Sequence, residues 1–461
     1  MRYSIALMSM AALGAMAAGA NAEDAKLPRY ELGVGRHLHY VTDSKFTYQN
    51  GTLEAQLTLD VTAVAKNADG SYRVIVRTGD REVQNRSGEK STSPKDAKER
   101  VTYARIDITP DGRLVPGATD SSGSLPTESP MVLPPLPADT KQLSGSWEKQ
   151  PAMPGMTEIL KSSSAPAEGK WIFESTSAGL FKDIYGINDD RTYQFDLTAG
   201  VVTAIDNRQK QDYGFTGTGA GRTRLESNEV LSADQTKALA ADAQILLDAE
   251  HAMHQKFEKL DASTDAGKLK ASLKEMLSAA MEKVSTPEMK TALQEMISDS
   301  ERSVDYSVDG AKRIAQIVGK PLAEVSGTDL QGKKRQLSEF RGKVLVLDFW
   351  YRGCGWCIRS MPQLKQVADD FKNEPFELIG MNTDRNAADA RFVIDAMKLN
   401  YSTIQIDNDT AKQLNVQAFP SLLIVDRTGV VRKFDEGYSP HLRDDLEKEI
   451  RPLLKDSPQA Q

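Results

Sequence analysis

Apolar and polar side chains alternate along much of the chain up to about residue 228. Between residues 53 and 65 the odd positions are Leu53, Ala55, Leu57, Leu59, Val61, Ala63 and Ala65, with mostly polar residues between them. A period of two marks a strand with one buried face. Lys66-Asn67-Ala68-Asp69-Gly70 then turns the chain, and Tyr72, Val74 and Val76 carry the pattern onto a returning strand. Ala104, Ile106 and Ile108 run likewise into a Pro110-Asp111-Gly112 turn. Tyr193, Phe195 and Leu197 pass through Ala199-Gly200 to Val201, Thr203 and Ile205. Residues 124–156 are rich in Pro and Ser and read as a long surface loop. The pattern predicts an antiparallel sandwich or open barrel.

From about Ser232 the period becomes helical. Ser232 with Gln235 three residues on forms a capping-box signature. Leu239, Ile245, Leu246, Ala249, Met253 and Phe257 then mark one face. Leu269, Leu273, Met276, Leu277 and Met281 make a second run. A third opens at Thr286-Pro287, with proline in the first turn where it is tolerated, and carries Leu293, Met296 and Ile297. From about Val304 strands alternate with helices, as in a parallel or mixed sheet covered on both faces. Residues 344–350, Val-Leu-Val-Leu-Asp-Phe-Trp, form a nearly continuous apolar run and hence a central strand. The chain divides into a β-rich region over residues 23–230, a helical segment over 231–303 and an α/β domain over 304–461.

Composition narrows the function. A formal net charge of −7, with no dense basic cluster, argues against a nucleic-acid partner. The first 22 residues differ in kind: Arg2 precedes an apolar run over residues 5–18, and Ala20-Asn21-Ala22 presents the small residues a signal peptidase reads. Residues 1–22 are therefore read as an export signal. The run is short for spanning a bilayer and no later stretch is apolar enough, so the mature protein is expected to be soluble and periplasmic, not membrane-spanning. His37 and His39 share a strand face, and His251 and His254 a helix face, but two ligands do not complete a site. These histidines read as surface residues, and neither metal nor cofactor is expected.

The chain has two cysteines, Cys354 and Cys357. A disulfide between them closes a tiny loop and stabilises weakly, so chemistry explains the pair better than stapling does. They follow the central strand and open a helix running toward Asn373, which sets Cys354 at a helix N-terminus. Unpaired backbone N–H groups and the helix dipole there favour a thiolate. Cys354 is the expected nucleophile, and Cys357, one turn later and more buried, the resolving thiol.

In these segments the chain resembles the thioredoxin superfamily, and most its exported TlpA/ResA branch. Asp329-Leu330-Gln331-Gly332 and the stretch from Leu337 to Val344 resemble the branch's leading hairpin and lysine-containing turn. Phe376–Asn382 with Asp384-Arg385-Asn386 resembles its inserted strand–helix unit. Val416-Gln417-Ala418-Phe419-Pro420, before a strand and the Asp426-Arg427-Thr428-Gly429 turn, resembles the loop carrying the family's cis-proline. The match covers about the last third of the chain and implies a thioredoxin-like fold for it. It also implies that Pro420 packs beside the disulfide while the neighbouring backbone, at Phe419, pairs with an extended client segment. Asp348, six residues before Cys354, matches the buried Asp of classical thioredoxins, where it would exchange a proton with Cys357.

Three positions depart from the branch. Gly353 stands where Trp often precedes the first cysteine, Ser360 where an acidic residue often follows the second, and Gly355-Trp356 between the cysteines contains no proline. Asp348 is expected to take over the acid–base duty of the missing glutamate. Trp356 is read as a client contact or as packing against Tyr351 or Phe419. The leading expectation is a periplasmic oxidoreductase that reduces or isomerises the disulfides of client proteins and is recharged by a membrane electron-transfer partner. A disulfide donor using the same residues, and a binding or scaffold protein with an accessory redox domain, are the alternatives. A peroxidase is disfavoured because the chain lacks a Pro/Thr-containing peroxidatic loop.

Overall fold

The computed structural model describes residues 27–86, 93–115, 120–121, 131–149, 157–163, 166, 169–213 and 216–455. The export signal read over residues 1–22 lies outside them. The first region comprises β1 (Arg36–Tyr48), β2 (Gly51–Lys66), β3 (Tyr72–Arg86), β4 (Arg100–Ile108), β5 (Asp120–Ser121), β6 (Ser146–Lys149), β7 (Thr157–Ser162), β8 (Lys170–Ala178), α1 (Leu180–Tyr185), β9 (Asn188–Asp196), β10 (Val201–Gln211) and β11 (Gly217–Val230). All eleven strands form one sheet in the order β5-β4-β3-β2-β1-β11-β10-β9-β8-β7-β6. The pairing is antiparallel throughout, and β1 against β11 joins the two halves.

One face of this sheet gathers Leu38, Tyr40, Val61, Val74, Ile106, Trp171, Phe173, Tyr193 and Phe195 into a single core. The arrangement is one open, curled sheet, the barrel-like member of the two architectures that the alternation allows. The segment read as a surface loop is a correction: Val132, Leu133 and Leu136 are fully buried in that core, and Trp147 nearly so. Prolines explain how, because they carry no N–H to satisfy. The carbonyls of Pro134 and Pro135 accept from the Tyr30 hydroxyl at 2.8 Å and the Trp147 indole at 2.7 Å.

The opposite face of β3 and β4 presents Ile75 and Tyr103 to a helical layer of α2 (Ala233–Glu258), α3 (Ala266–Lys283) and α4 (Pro287–Ala315). Ser232 and Gln235 make the reciprocal capping box at the start of α2. Buried Asp242 accepts from the backbone N–H and hydroxyl of both Ser285 and Thr286, which pins the turn into α4. The division placed at residue 303 falls inside α4, because Val304 and Val308 continue its apolar stripe against Leu273. His37 and His39 sit between sheet and helices, bonded to Thr62 at 2.8 Å and Asp60 at 2.6 Å. They are partly buried rather than free at the surface, since β1 turns this face toward α2.

The third region contains β12 (Ser326–Asp329), β13 (Lys334–Gln336), β14 (Val344–Trp350), α5 (Gly355–Asp370), β15 (Phe376–Asn382), α6 (Ala387–Met397), β16 (Ser402–Gln405), α7 (Asn408–Gln413), β17 (Ser421–Val425), β18 (Val431–Glu436) and α8 (Leu442–Lys455). Its sheet runs β13-β12-β16-β15-β14-β17-β18. β14 lies parallel to β15 and antiparallel to β17, and all its residues are buried. Leu345, Leu347 and Phe349 enter the core on one face; Val344 and Val346 meet Leu364, Leu446 and Ile450 on the other. Among the described residues no helix is long and apolar enough to cross a membrane.

Candidate functional site

The all-buried β14 delivers its C-terminal end to the site. Tyr351-Arg352-Gly353 turns the chain, and Cys354 becomes the N-cap of α5. Its Sγ accepts from the Cys357 backbone N–H at 3.1 Å, satisfying one of the donors a helix start leaves open. Cys354 and Cys357 form a disulfide with Cα atoms 5.2 Å apart. Cys354 is 6 % exposed and Cys357 1 %, in the order expected of attacking and resolving thiols. Gly353 has a steric reason for its departure from the branch: a Cβ there would lie 2.8 Å from the Tyr351 ring.

Pro420 is cis, at the head of β17, and its carbonyl accepts from the Gly437 N–H at 2.8 Å. Phe419 packs against the cluster that holds both cysteines and meets Tyr351 edge-on at 5.2 Å. Trp356 has neither of the partners expected of it: its ring lies 5.2 Å from Tyr438 and 4.2 Å from the Arg359 guanidinium. It remains 44 % exposed.

Asp348 is the site's one buried carboxyl on the central strand. Desolvation pushes its pKa up to about 7, partly offset by a hydrogen bond that the Tyr401 hydroxyl donates at 3.3 Å. Its Oδ1, with Trp350 Nε1 and Thr403 Oγ1, is buried without a hydrogen-bond partner among the described residues. Gly380 stands opposite Asp348 on β15, and a Cβ there would come within 2.9 Å of the Trp350 and Thr403 atoms. The absent side chain thus makes room for a small polar inlay.

The sequence reading missed four contributors: Tyr401, Tyr438, Arg352 and a segment of the β-rich region. The backbone N–H of Arg352 donates to Asp384 at 3.0 Å, and its guanidinium to Asp389 at 2.8 Å and to the Ile184 carbonyl at 2.8 Å. The same guanidinium lies between the rings of Tyr213, 3.9 Å away, and Phe392, 4.2 Å away. No local pattern signals this, because Ile184 and Tyr213 come from more than a hundred residues upstream. Among the described residues no group of three or more His, Cys, Asp or Glu could hold a metal ion.

Residues 317–450 match the family model described as Redoxin. The chain is 24 % identical over 143 residues to thiol-disulfide oxidoreductase ResA of Geobacillus kaustophilus, covering 31 % of this chain and 81 % of that one. It is 27 % identical over 115 residues to the ResA protein of Bacillus cereus, covering 25 % of this chain and 66 % of that one. Similar solved structures include the thioredoxin domain of a thiol-disulfide oxidoreductase from Bacteroides vulgatus, 28 % identical, with a TM-score of 0.27, covering 29 % of this chain and 97 % of that one. Another is a thiol:disulfide interchange protein from Bacteroides sp., 26 % identical, with a TM-score of 0.27, covering 31 % and 93 %. The C-terminal third of this chain contains a redoxin domain and is similar to thioredoxin-like thiol–disulfide oxidoreductases.

Proposed function

We propose that this protein is an exported thiol–disulfide oxidoreductase that reduces client disulfides through Cys354 and Cys357. The observation that carries the reading is the pair itself: two cysteines bonded across the first turn of a helix that opens directly from the central strand. In the reduced protein the Cys354 thiolate attacks one sulfur of a client disulfide. A mixed disulfide forms and one client thiolate leaves. Cys357, deprotonated, then attacks Cys354 Sγ. The second client thiolate leaves, and the Cys354–Cys357 disulfide re-forms with two electrons passed to the client. Asp348 accepts the proton that Cys357 gives up, a task suited to a carboxyl held near neutrality. By resemblance to the superfamily, Phe419 and Pro420 seat the client backbone; Trp356, exposed at the tip, touches it.

Return to the dithiol state requires a dithiol donor, assigned here to a membrane protein that carries electrons outward. Export rests on the first 22 residues, whose charge, apolar run and Ala-Asn-Ala end suit a cleaved signal. The deciding measurement is the reduction potential of the Cys354–Cys357 couple, by equilibration in thiol buffers and alkylation of free thiols. A value at or below about −230 mV, toward thioredoxin, fits a reductase. A value above about −150 mV, toward DsbA, would make the protein a disulfide donor instead.

A further inference from the structure

The apolar cluster around the disulfide is not built by the redoxin domain alone. Ile184 and Tyr185, at the end of α1 in the β-rich region, are buried in it beside Cys354, Cys357, Ile358 and Met361. Tyr213, from the segment after β10, packs on the same cluster, its ring centroid 6.2 Å from that of Tyr185. The two segments are tied together, since the Tyr213 N–H donates to the Tyr185 carbonyl at 3.1 Å. Arg352, two residues before Cys354, clamps them to the redox loop through the Ile184 carbonyl and the face of Tyr213. A cation held between two rings and paired with Asp389 is a directional joint rather than a loose contact.

We infer that the β-rich region supplies one wall of the client site, and that Tyr213, backed by buried Tyr185, selects clients presenting a cysteine on an extended segment next to an aromatic or large apolar residue. This inference rests on the oxidoreductase reading above. Three features favour that client. Cys354 is only 6 % exposed, so a reacting cysteine has to protrude to reach it. The surroundings are aromatic: Tyr185 and Tyr213 on one side, Tyr351 edge-on to Phe419, and Trp356 over Tyr438, with Trp356 44 % and Tyr351 37 % exposed. Exposed rings gathered at one place are the usual anchors of a binding surface. The basic groups nearby face inward, Arg352 onto Asp389 and Arg359 onto the Trp356 ring, so acidic clients find little to recognise.

The test uses the full reduced chain and two mixed disulfides, each a short cysteine peptide joined to glutathione. In one the cysteine is flanked by Phe, in the other by Gly. The wild-type protein is expected to react faster with the Phe-flanked peptide. Tyr213→Ala should slow that reaction by about five- to thirty-fold more than it slows the Gly-flanked one. Tyr213→Phe should retain the preference. Equal slowing of both peptides would mean that the tyrosine merely supports Cys354 and would overturn the inference, as would a wild-type protein without preference. A wild-type protein that reacts with neither peptide would instead overturn the oxidoreductase reading itself.

Discussion

The eleven-stranded and seven-stranded sheets bury their charged groups on different terms. In the curled antiparallel sheet, charge near the core meets opposite charge. Asp107, with 7 % of its side chain exposed, takes both Arg73 donors at 2.8 Å, and Arg77 reaches Asp60 and Glu99. In the redoxin domain Asp348 sits on a strand buried on both faces, and its carboxyl holds a single 3.3 Å hydrogen bond among the described residues. Asp426, just beyond the neighbouring strand, marks the contrast. Burial pushes its carboxyl up, but Thr428, the Val430 N–H and Arg432 outweigh that and hold it below its ordinary value. A fold able to pair its buried carboxyls has left one nearly bare on the strand that leads to its cysteines. Such a residue is costly to stability, and the proton-transfer role proposed above would account for it.

The contrast breaks most visibly at the cysteines. Cys354→Ser is expected to lower client-disulfide reduction by on the order of 10³-fold or more, to background in an insulin-reduction assay. It should leave the melting temperature nearly unchanged, because the lost cross-link closes a loop with a separation of only 3. Retained reduction would remove the chemistry from this domain. Trp171→Ala probes the other side of the comparison. Trp171 is 1 % exposed, stacked on Trp147 at 5.8 Å and tilted against Phe173 at 4.5 Å. Its truncation should cost about 3–5 kcal/mol in the β-rich region, measured by urea denaturation, and leave the reduction potential in place.

Asp348→Asn sharpens the comparison through pH. Unfolded, the carboxyl titrates near 3.8; folded, near 7. Between those values the folded state holds the additional proton, so stability falls as pH rises through that window and stays low above it. The full shift corresponds to about 4 kcal/mol as an upper bound. Asn cannot ionise. Relative to wild type, the variant should therefore gain on the order of 2–4 kcal/mol between pH 4 and pH 8, read as the difference of urea-denaturation free energies. Resolution of the mixed disulfide should slow at the same time. A wild-type protein with no loss of stability over this window would place Asp348 among the satisfied carboxyls.

How much of this was legible in the sequence follows from how local each signal is. The alternation of Leu59, Val61 and Ala63, the capping box at Ser232 and the apolar run at Val344 each reflect contacts made within or beside one element. Cys354, Cys357, Asp348 and Pro420 were placed because their spacing carries a known pattern. Trp356 was singled out, but its partner Tyr438 lies 82 positions away, and nothing in either neighbourhood announces the pair. The burial of Val132 and Leu133 was missed because Pro-rich chain is normally exposed. Here the missing N–H groups let it enter a core. Arg352 was passed over for a similar reason: an arginine in a turn is usually solvated, and its partners belong to another region.

Tyr401→Phe gives the smallest expected effect and the finest test of the comparison. The Tyr401 hydroxyl donates the one hydrogen bond that Asp348 receives among the described residues, and this bond lowers the carboxyl's pKa against the larger effect of burial. Removing the hydroxyl should therefore raise the pKa further and move the window of pH-dependent stability upward. The loss at pH 8 should be about 1 kcal/mol, one hydrogen bond to a charged acceptor. At pH 4, where Asp348 is neutral in the folded protein, the same substitution should cost less. A downward shift of the window, followed by denaturation or by the carboxyl's infrared band, would mean that Tyr401 does not stabilise the charged form. Asp348 would then owe its raised pKa to Tyr401 as well as to burial.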